Sequence, residues 1–196
     1  NRDEPEQPQF DIKAVKADTG IARFQGLSNL VAVALKQPNV VWGWGDNIKK
    51  QAGAINANVV KEPRQISKDK LKDVQSLAAG PWNSLAVTNQ GQLFGWGENE
   101  HAQLGMDDRK KYSSPTAVSD AKNYAQVATG AFHSLVTTTQ GRVQVWGWNK
   151  HHALGSVSEA VTDPTTGQVT AQRIFDKPIT HPALNNVRGV SAGEAH

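Results

Sequence analysis

The sequence predicts an all-β fold, a partial β-propeller with blades of four antiparallel strands, and three observations carry that prediction. Residues 74–105, VQSLAAGPWNSLAVTNQGQLFGWGENEHAQLG, are restated without a gap by residues 124–155, YAQVATGAFHSLVTTTQGRVQVWGWNKHHALG, at an offset of 50 with 13 identical positions. The identities fall on turn-forming and space-filling residues: Gly80/Gly130, Gly91/Gly141, Trp96/Trp146, Gly97/Gly147, Asn99/Asn149 and Gly105/Gly155. Between these marks lie short apolar segments of strand length, which is how a blade repeats in sequence.

Composition narrows the class. With 196 residues and 38% hydrophobic side chains, the chain can build a core from short buried segments. Its longest apolar run, Leu30–Leu35, is strand-length and far from the roughly 20 residues of a membrane helix, so membrane insertion is not expected. The net charge of +3 is mildly basic, but Lys61, Arg64, Lys68, Lys70 and Lys72 alternate with Glu62, Asp69 and Asp73, and Arg109-Lys110-Lys111 follows Asp107-Asp108. Mixed signs of this kind read as solvated loops and argue against a nucleic-acid stripe. The absence of cysteine excludes disulfides and thiolate metal sites.

In chain order, residues 1–10 (NRDEPEQPQF) are charged and proline-bearing, with only Phe10 to bury, and are expected to be a disordered leader of a processed chain; such a leader points to export, to a secreted or bacterial surface location. FDIKAV, from Phe10, alternates as a strand does. The first blade is placed at about 20–73: Trp44-Gly45-Asp46-Asn47 matches Trp96-Gly97-Glu98-Asn99 at an offset of 52, Gln51 and Gly53 match Gln103 and Gly105, and Gly26 is set in the place of Gly80. KEPRQISKDKLKD (61–73) is the one segment with helical character, or else a linker. The second blade spans 74–123 and the third 124–186. In each, a strand ends in Ala-x-Gly, a second follows Ser, a Gln-Gly pair turns the chain, and a third runs into Trp-Gly-x-Asn. Fourth strands are expected around Val59–Ile66, Pro115–Ser119 and Gln172–Pro178. The third copy carries surplus length at 156–173, where AVT and QVT flank DPTTG, a pattern for a projecting hairpin. Residues 187–196, NVRGVSAGEAH from Asn186, restate the opening of a fourth copy.

Chemistry is sparse. His133 recurs as His196 and reads as structural; His151 and His152, as strand neighbours, would face opposite sides and lack a third ligand, so no metal site is expected. Ser84 and Ser134 are repeat positions outside any Gly-x-Ser-x-Gly elbow, and no phosphate-binding glycine loop occurs, so no catalytic site and no cofactor are expected. Trp44, Trp96 and Trp146 recur and belong to the core, whereas Trp42, Trp82 and Trp148 are not shared by all copies and are candidate aromatic contacts for a partner or a sugar.

AAGPWNSLAVTNQGQLFGWGENEHAQLG and ATGAFHSLVTTTQGRVQVWGWNKHHALG together resemble the repeat of the regulator of chromosome condensation family: Ala-x-Gly, then His-Ser-Leu, a glycine turn, Trp-Gly-x-Asn, and Gln-Leu-Gly. The resemblance covers about residues 20–196, with Asn83 in place of the usual His and Ala153 in place of Gln. It implies a seven-bladed propeller whose members bind proteins on a face or an edge loop, with roles that include nucleotide exchange on a small GTPase, chromatin binding and inhibition of a lactamase. Fold alone does not choose among these. The expected function is therefore a non-catalytic protein-protein interaction scaffold, completed by self-association or by further blades. Its recognition element is expected in the hairpin at Asp163, Pro164, Thr165, Thr166 and Gly167, because an insertion in one repeat is where specificity is added. A carbohydrate-binding adhesin and a nucleotide exchange factor are the alternatives.

Overall fold

The computed structural model describes residues 21–28, 31–36, 40–67, 69–157, 160–162, 165–167, 169–171 and 173–193. The leader, the segment FDIKAV and His196 lie outside them. Three antiparallel four-stranded sheets follow one another along the chain. Blade 1 is β1 (Ile21–Ser28), β2 (Val31–Lys36), β3 (Val40–Asp46) and β4 (Val59–Gln65); blade 2 is β5 (Val74–Ala79), β6 (Asn83–Thr88), β7 (Gln92–Gly97) and β8 (Tyr112–Lys122). Blade 3 is β9 (Tyr124–Thr129), β10 (His133–Thr138), β11 (Val143–Trp148) and β14 (Ile174–Thr180), with the hairpin of β12 (Ala160–Thr162) and β13 (Val169–Ala171) between its last two strands. The fourth strands fall on the expected segments.

The turns form where their residues demand. Gly91 and Gly141 take φ of 77° and 73°, and their amides close onto the Thr88 and Thr138 carbonyls at 2.8 and 2.9 Å. Only glycine adopts this conformation without strain. Residues 61–73, with their helical character, instead pair through Gln65 with Trp42, and Leu71 and Ile66 then bury as a link into blade 2. Partners across a sheet override weak local propensity. The register also corrects one alignment: Val31 pairs with Gly45 as Asn83 pairs with Gly97, so Ser28, not Gly26, holds the place of Gly80.

Blades dock through a repeated backbone acceptor. The Gln51 carbonyl in blade 1 receives both Ser84 Oγ (2.9 Å) and Trp96 Nε1 (2.9 Å) of blade 2. The Gln103 carbonyl in blade 2 receives Ser134 Oγ (2.7 Å) and Trp146 Nε1 (3.0 Å) of blade 3. Trp44, Trp96 and Trp146 are buried as expected, and Trp96 and Trp146 are also polar ties, which satisfies a buried indole N–H. Glycine permits the closest approach: a Cβ on Gly80 would lie 2.4 Å from the Gly130 oxygen, and one on Gly130 would lie 2.4 Å from the Gly193 oxygen. The Gly91 carbonyl accepts the Tyr124 amide of the next blade at 3.1 Å, and the Gly141 carbonyl accepts the Val187 amide at 2.9 Å, so residues 187–193 continue the same docking pattern. Two apolar clusters fill the joints, one around Leu77, Phe94 and Trp96 and a larger one around Leu85, Leu104, Val145 and Trp146.

Candidate functional site

Antiparallel order places all loops between a blade's first and second strands, and between its third and fourth, at one end of the stack. Those loops are well fixed. The recurring asparagine clamps each long one: Asn47, Asn99 and Asn149 accept through Oδ1 from the amides of Ala52, Leu104 and Leu154 at 3.0, 2.9 and 2.9 Å. Their Nδ2 groups donate to carbonyls farther along, Ile55 and Ala57, Asp108, and Gly155 and Val157. Gly97 and Gly147, at φ of 102° and 96°, let the chain pass under the Trp82 and Phe132 carbonyls, where a Cβ would stand 2.4 Å from oxygen. The residues at 82 and 132 are thereby held at the rim.

Four rings meet there. Trp82 packs on Phe132 with centroids 5.1 Å apart; His101 lies 4.6 Å from Phe132 and stacks on Trp148 at 5.0 Å and 26°; Phe132 meets Trp148 edge-on at 5.6 Å. Lys150 Nζ stands 4.8 Å over the Trp148 ring. All four rings are half-buried and Lys150 is exposed. This joins two candidate aromatics, Trp82 and Trp148, into one surface spanning blades 2 and 3. Trp42 stands apart in mid-β3, packed on the Trp44, Ala52 and Val60 cluster. Phe132 and His101 were not among the expected contacts. Phe132 could have been found, because it matches Trp82 at the offset of 50.

At the neighbouring joint the same rim carries charge instead. Lys49 of blade 1 bridges to Glu98 of blade 2. Burial would raise the Glu98 carboxyl, but the hydrogen bonds from Lys49 and the Asn99 amide, with the nearby Lys49 and Lys111 charges, hold it below the ordinary glutamate range. The Lys49 ammonium is raised in return, by that hydrogen bond and by the Glu98 and Glu100 charges.

The hairpin emerges at this end too, since Trp148 pairs with Ile174 and β12 and β13 lie between them in the chain. Its strands pair Ala160 with Ala171 and Thr162 with Val169. Thr165, Thr166 and Gly167 are exposed at its turn, with Gly167 at φ 69°, and Asp163 and Pro164 lie outside the described residues. Histidines 151 and 152 do not face opposite sides of a strand: they sit in a 3-10 turn, Lys150–His152, both exposed and both left-handed at φ 55° and 58°. Among the described residues no group of three potential ligands converges, and no helix is long and apolar enough to cross a membrane.

Two models of the regulator of chromosome condensation (RCC1) repeat match, one over residues 90–137 and the other over residues 74–103 and 124–153. The chain is 37% identical over 104 residues to the mitochondrial RCC1 domain-containing protein RUG3 of Arabidopsis thaliana, covering 53% of this chain and 23% of that protein. It is 32% identical over 87 residues to the human E3 ubiquitin-protein ligase HERC2, covering 44% of this chain and 2% of that one. It therefore spans less than a quarter of either relative. Among solved structures, Prp20p of Saccharomyces cerevisiae superposes with a TM-score of 0.72 at 20% identity, over 90% of this chain and 42% of that one; human WBSCR16 does so at 0.68 and 20%, over 84% and 40%. These relatives are eukaryotic, and nothing in them supports the bacterial, secreted or scaffold expectations. The match over the two central copies and the superposition of the stack agree: this chain carries regulator of chromosome condensation repeats and folds as part of a β-propeller.

Proposed function

We propose that the chain is a non-catalytic protein-binding module whose contact surface is the rim of blades 2 and 3. The observation that carries this reading is the cluster of Trp82, His101, Phe132 and Trp148, which leaves four half-buried rings at a rim that clamped loops hold in place. Rigid aromatic surface is what protein interfaces use as anchors, since little conformational entropy is lost on contact. His101 stacks on Trp148 and Lys150 lies over the same ring, which leaves less of that face for stacking on a sugar; the adhesin reading is the weaker for it. The hairpin rises from the same rim, and in this reading its exposed turn residues Thr165, Thr166 and Gly167 add specificity. Support at the level of the family is general: Prp20p is described with binding to Gsp1p and histones, and a Ras guanine nucleotide exchange factor C of Dictyostelium discoideum is 25% identical over 163 residues, 11% of its length. Nucleotide exchange is the competing reading.

The test is photo-cross-linking in cells that express the chain, with the reactive side chain at Lys150 on the rim or at Gln140 on the opposite end. A discrete protein adduct from position 150, missing from position 140 and lost in Phe132→Ala/Trp148→Ala, is expected; equal labelling from both ends would reject the rim. Alanine at all five positions 163–167 is expected to reduce that adduct while the circular dichroism spectrum is unchanged. Accelerated release of labelled GDP from a small GTPase would favour the exchange reading instead.

A further inference from the structure

The rim is electrically asymmetric. On its blade 1–2 side the cations have partners: Lys49 lies against Glu98 and within the field of Glu100, Lys111 acts on Glu98, and Lys50 donates to the Ile55 carbonyl at 3.3 Å. Around blade 2 the charges are also paired, Arg109 with Asp176 at 3.1 Å, Lys177 with Asp107 at 2.7 Å, and Lys110 with Asp108 at 3.6 Å. Blade 3 differs. Lys150 lies over Trp148, and Arg173 is set beside it because the Asn149 amide bonds the Arg173 carbonyl at 2.7 Å. Both side chains are exposed, and among the described residues neither meets a carboxylate. The loop from Lys150 to Val157 contains no acidic residue, and His151 and His152 add imidazoles to the same turn. Among the described residues, Lys150 over the rings and Arg173 beside its loop thus have no carboxylate partner.

We propose that the occupant of this rim is an acidic segment of a partner protein, which lays an apolar side chain on Phe132 and Trp148 and sets carboxylates against Lys150 and Arg173. The inference rests on the reading of the rim as a protein-binding face and adds to it the chemistry of the partner. Two features support it. An apolar anchor excludes water beside the charges, which raises the value of each contact above that of an open surface pair. A carboxylate can satisfy the Arg173 guanidinium in two-pronged fashion, which gives direction as well as attraction. A basic or purely apolar segment gains neither and, if basic, is repelled, so the rim discriminates by charge.

The probe is a displayed library of random 12-residue peptides selected on the intact chain at low salt and eluted with free chain. Enriched peptides are expected to carry Asp or Glu within a few positions of Leu, Phe or Trp. Their affinity is expected to fall about tenfold in Lys150→Glu/Arg173→Glu, with a smaller loss in Lys150→Gln/Arg173→Gln, and to weaken as salt rises from 50 to 500 mM, as charge contacts at a rim do. Peptides that need Phe132 and Trp148 yet bind the charge-reversed chain equally would overturn the acidic partner and leave the binding face standing. Enriched peptides indifferent to both pairs of substitutions, or no enrichment at all, would remove the binding face and the inference with it. Both charge variants change exposed side chains only, so their folding is checked by circular dichroism before binding is read.

Discussion

The two blade joints share one backbone plan and differ in almost every side chain placed upon it. In both, the carbonyl of a Gln-x-Gly loop takes a serine hydroxyl and an indole N–H from the next blade. Beneath that carbonyl the joints diverge. At the joint of blades 2 and 3, Asn83 Nδ2 donates to Thr129 Oγ1 at 2.7 Å, Thr129 meets Ser134 at 2.8 Å, and Ser134 reaches the Gln103 carbonyl, all buried. At the joint of blades 1 and 2 the matching places hold Val31 and Ala79 with Ser84, so the chain of hydrogen bonds is cut to its last link. Above the carbonyl, Lys49 and Glu98 form an ion pair where His101 and Trp148 form a stack. The difference teaches that the repeat fixes how blades approach, while the rim above each approach is free to vary. The joint with the most extensive buried network is the one whose rim is aromatic, which frees the rings from holding the blades together.

The largest expected effect comes from closing the gap that glycine leaves. Gly80→Ala puts a methyl 2.4 Å from the Gly130 oxygen, so the joint must open; destabilisation of about 3 kcal/mol is expected by chemical denaturation. A loss under about 1 kcal/mol would show that the joint yields easily. Next is Thr129→Val, which strands Asn83 and shortens the Ser134 network; about 2 kcal/mol is expected, because buried polar groups lose partners without losing burial. Ala79→Thr at the other joint should recover only part of that network, through Ser84, since Val31 holds the place of Asn83. Ser84→Ala and Ser134→Ala come third, at about 1 kcal/mol each with Ser134 the larger, because only Ser134 serves a second partner.

The smallest effect is one of pH. The Glu98 carboxyl is held below its ordinary value of 4.5, so the folded state binds its proton more weakly than the unfolded state. Its contribution is complete above that value and is lost as pH falls through the lower folded value. Glu98→Gln should therefore lower stability slightly at neutral pH and converge with the parent chain as pH falls below about 4.5, giving a flatter acid limb that pH-dependent melting would read.

Much of the blade was legible because its residue types have narrow physical uses. Gly91 and Gly141 turn with positive φ, Trp96 and Trp146 are too large and apolar for any place but a joint, and Asn99 and Asn149 fit a loop clamp. The helical character of 61–73 was misleading because a strand's partners lie elsewhere in the chain, at Trp42 and Gly43. Gly26 was matched to Gly80 by residue type, whereas pairing with Val31 sets the register and puts Ser28 there. At the rim, Trp82 and Trp148 were legible as aromatics outside the shared pattern. Their union was not, because it is made by His101, which no sequence motif singled out, and by Phe132, whose match to Trp82 signals a repeat position before it signals a surface.

The central claim is that the buried network holds blades 2 and 3 together while the rings above it bind. One paired measurement tests it: melting temperature and rim adduct yield, taken together for Phe132→Ala/Trp148→Ala and for Thr129→Val. The first variant should lose the adduct with only a modest drop in melting temperature, whereas the second should melt lower by roughly 4–8 °C, as about 2 kcal/mol implies for a chain of this size, and still form the adduct below its transition. A ring variant that melts far below Thr129→Val, or that keeps its adduct, would contradict the claim.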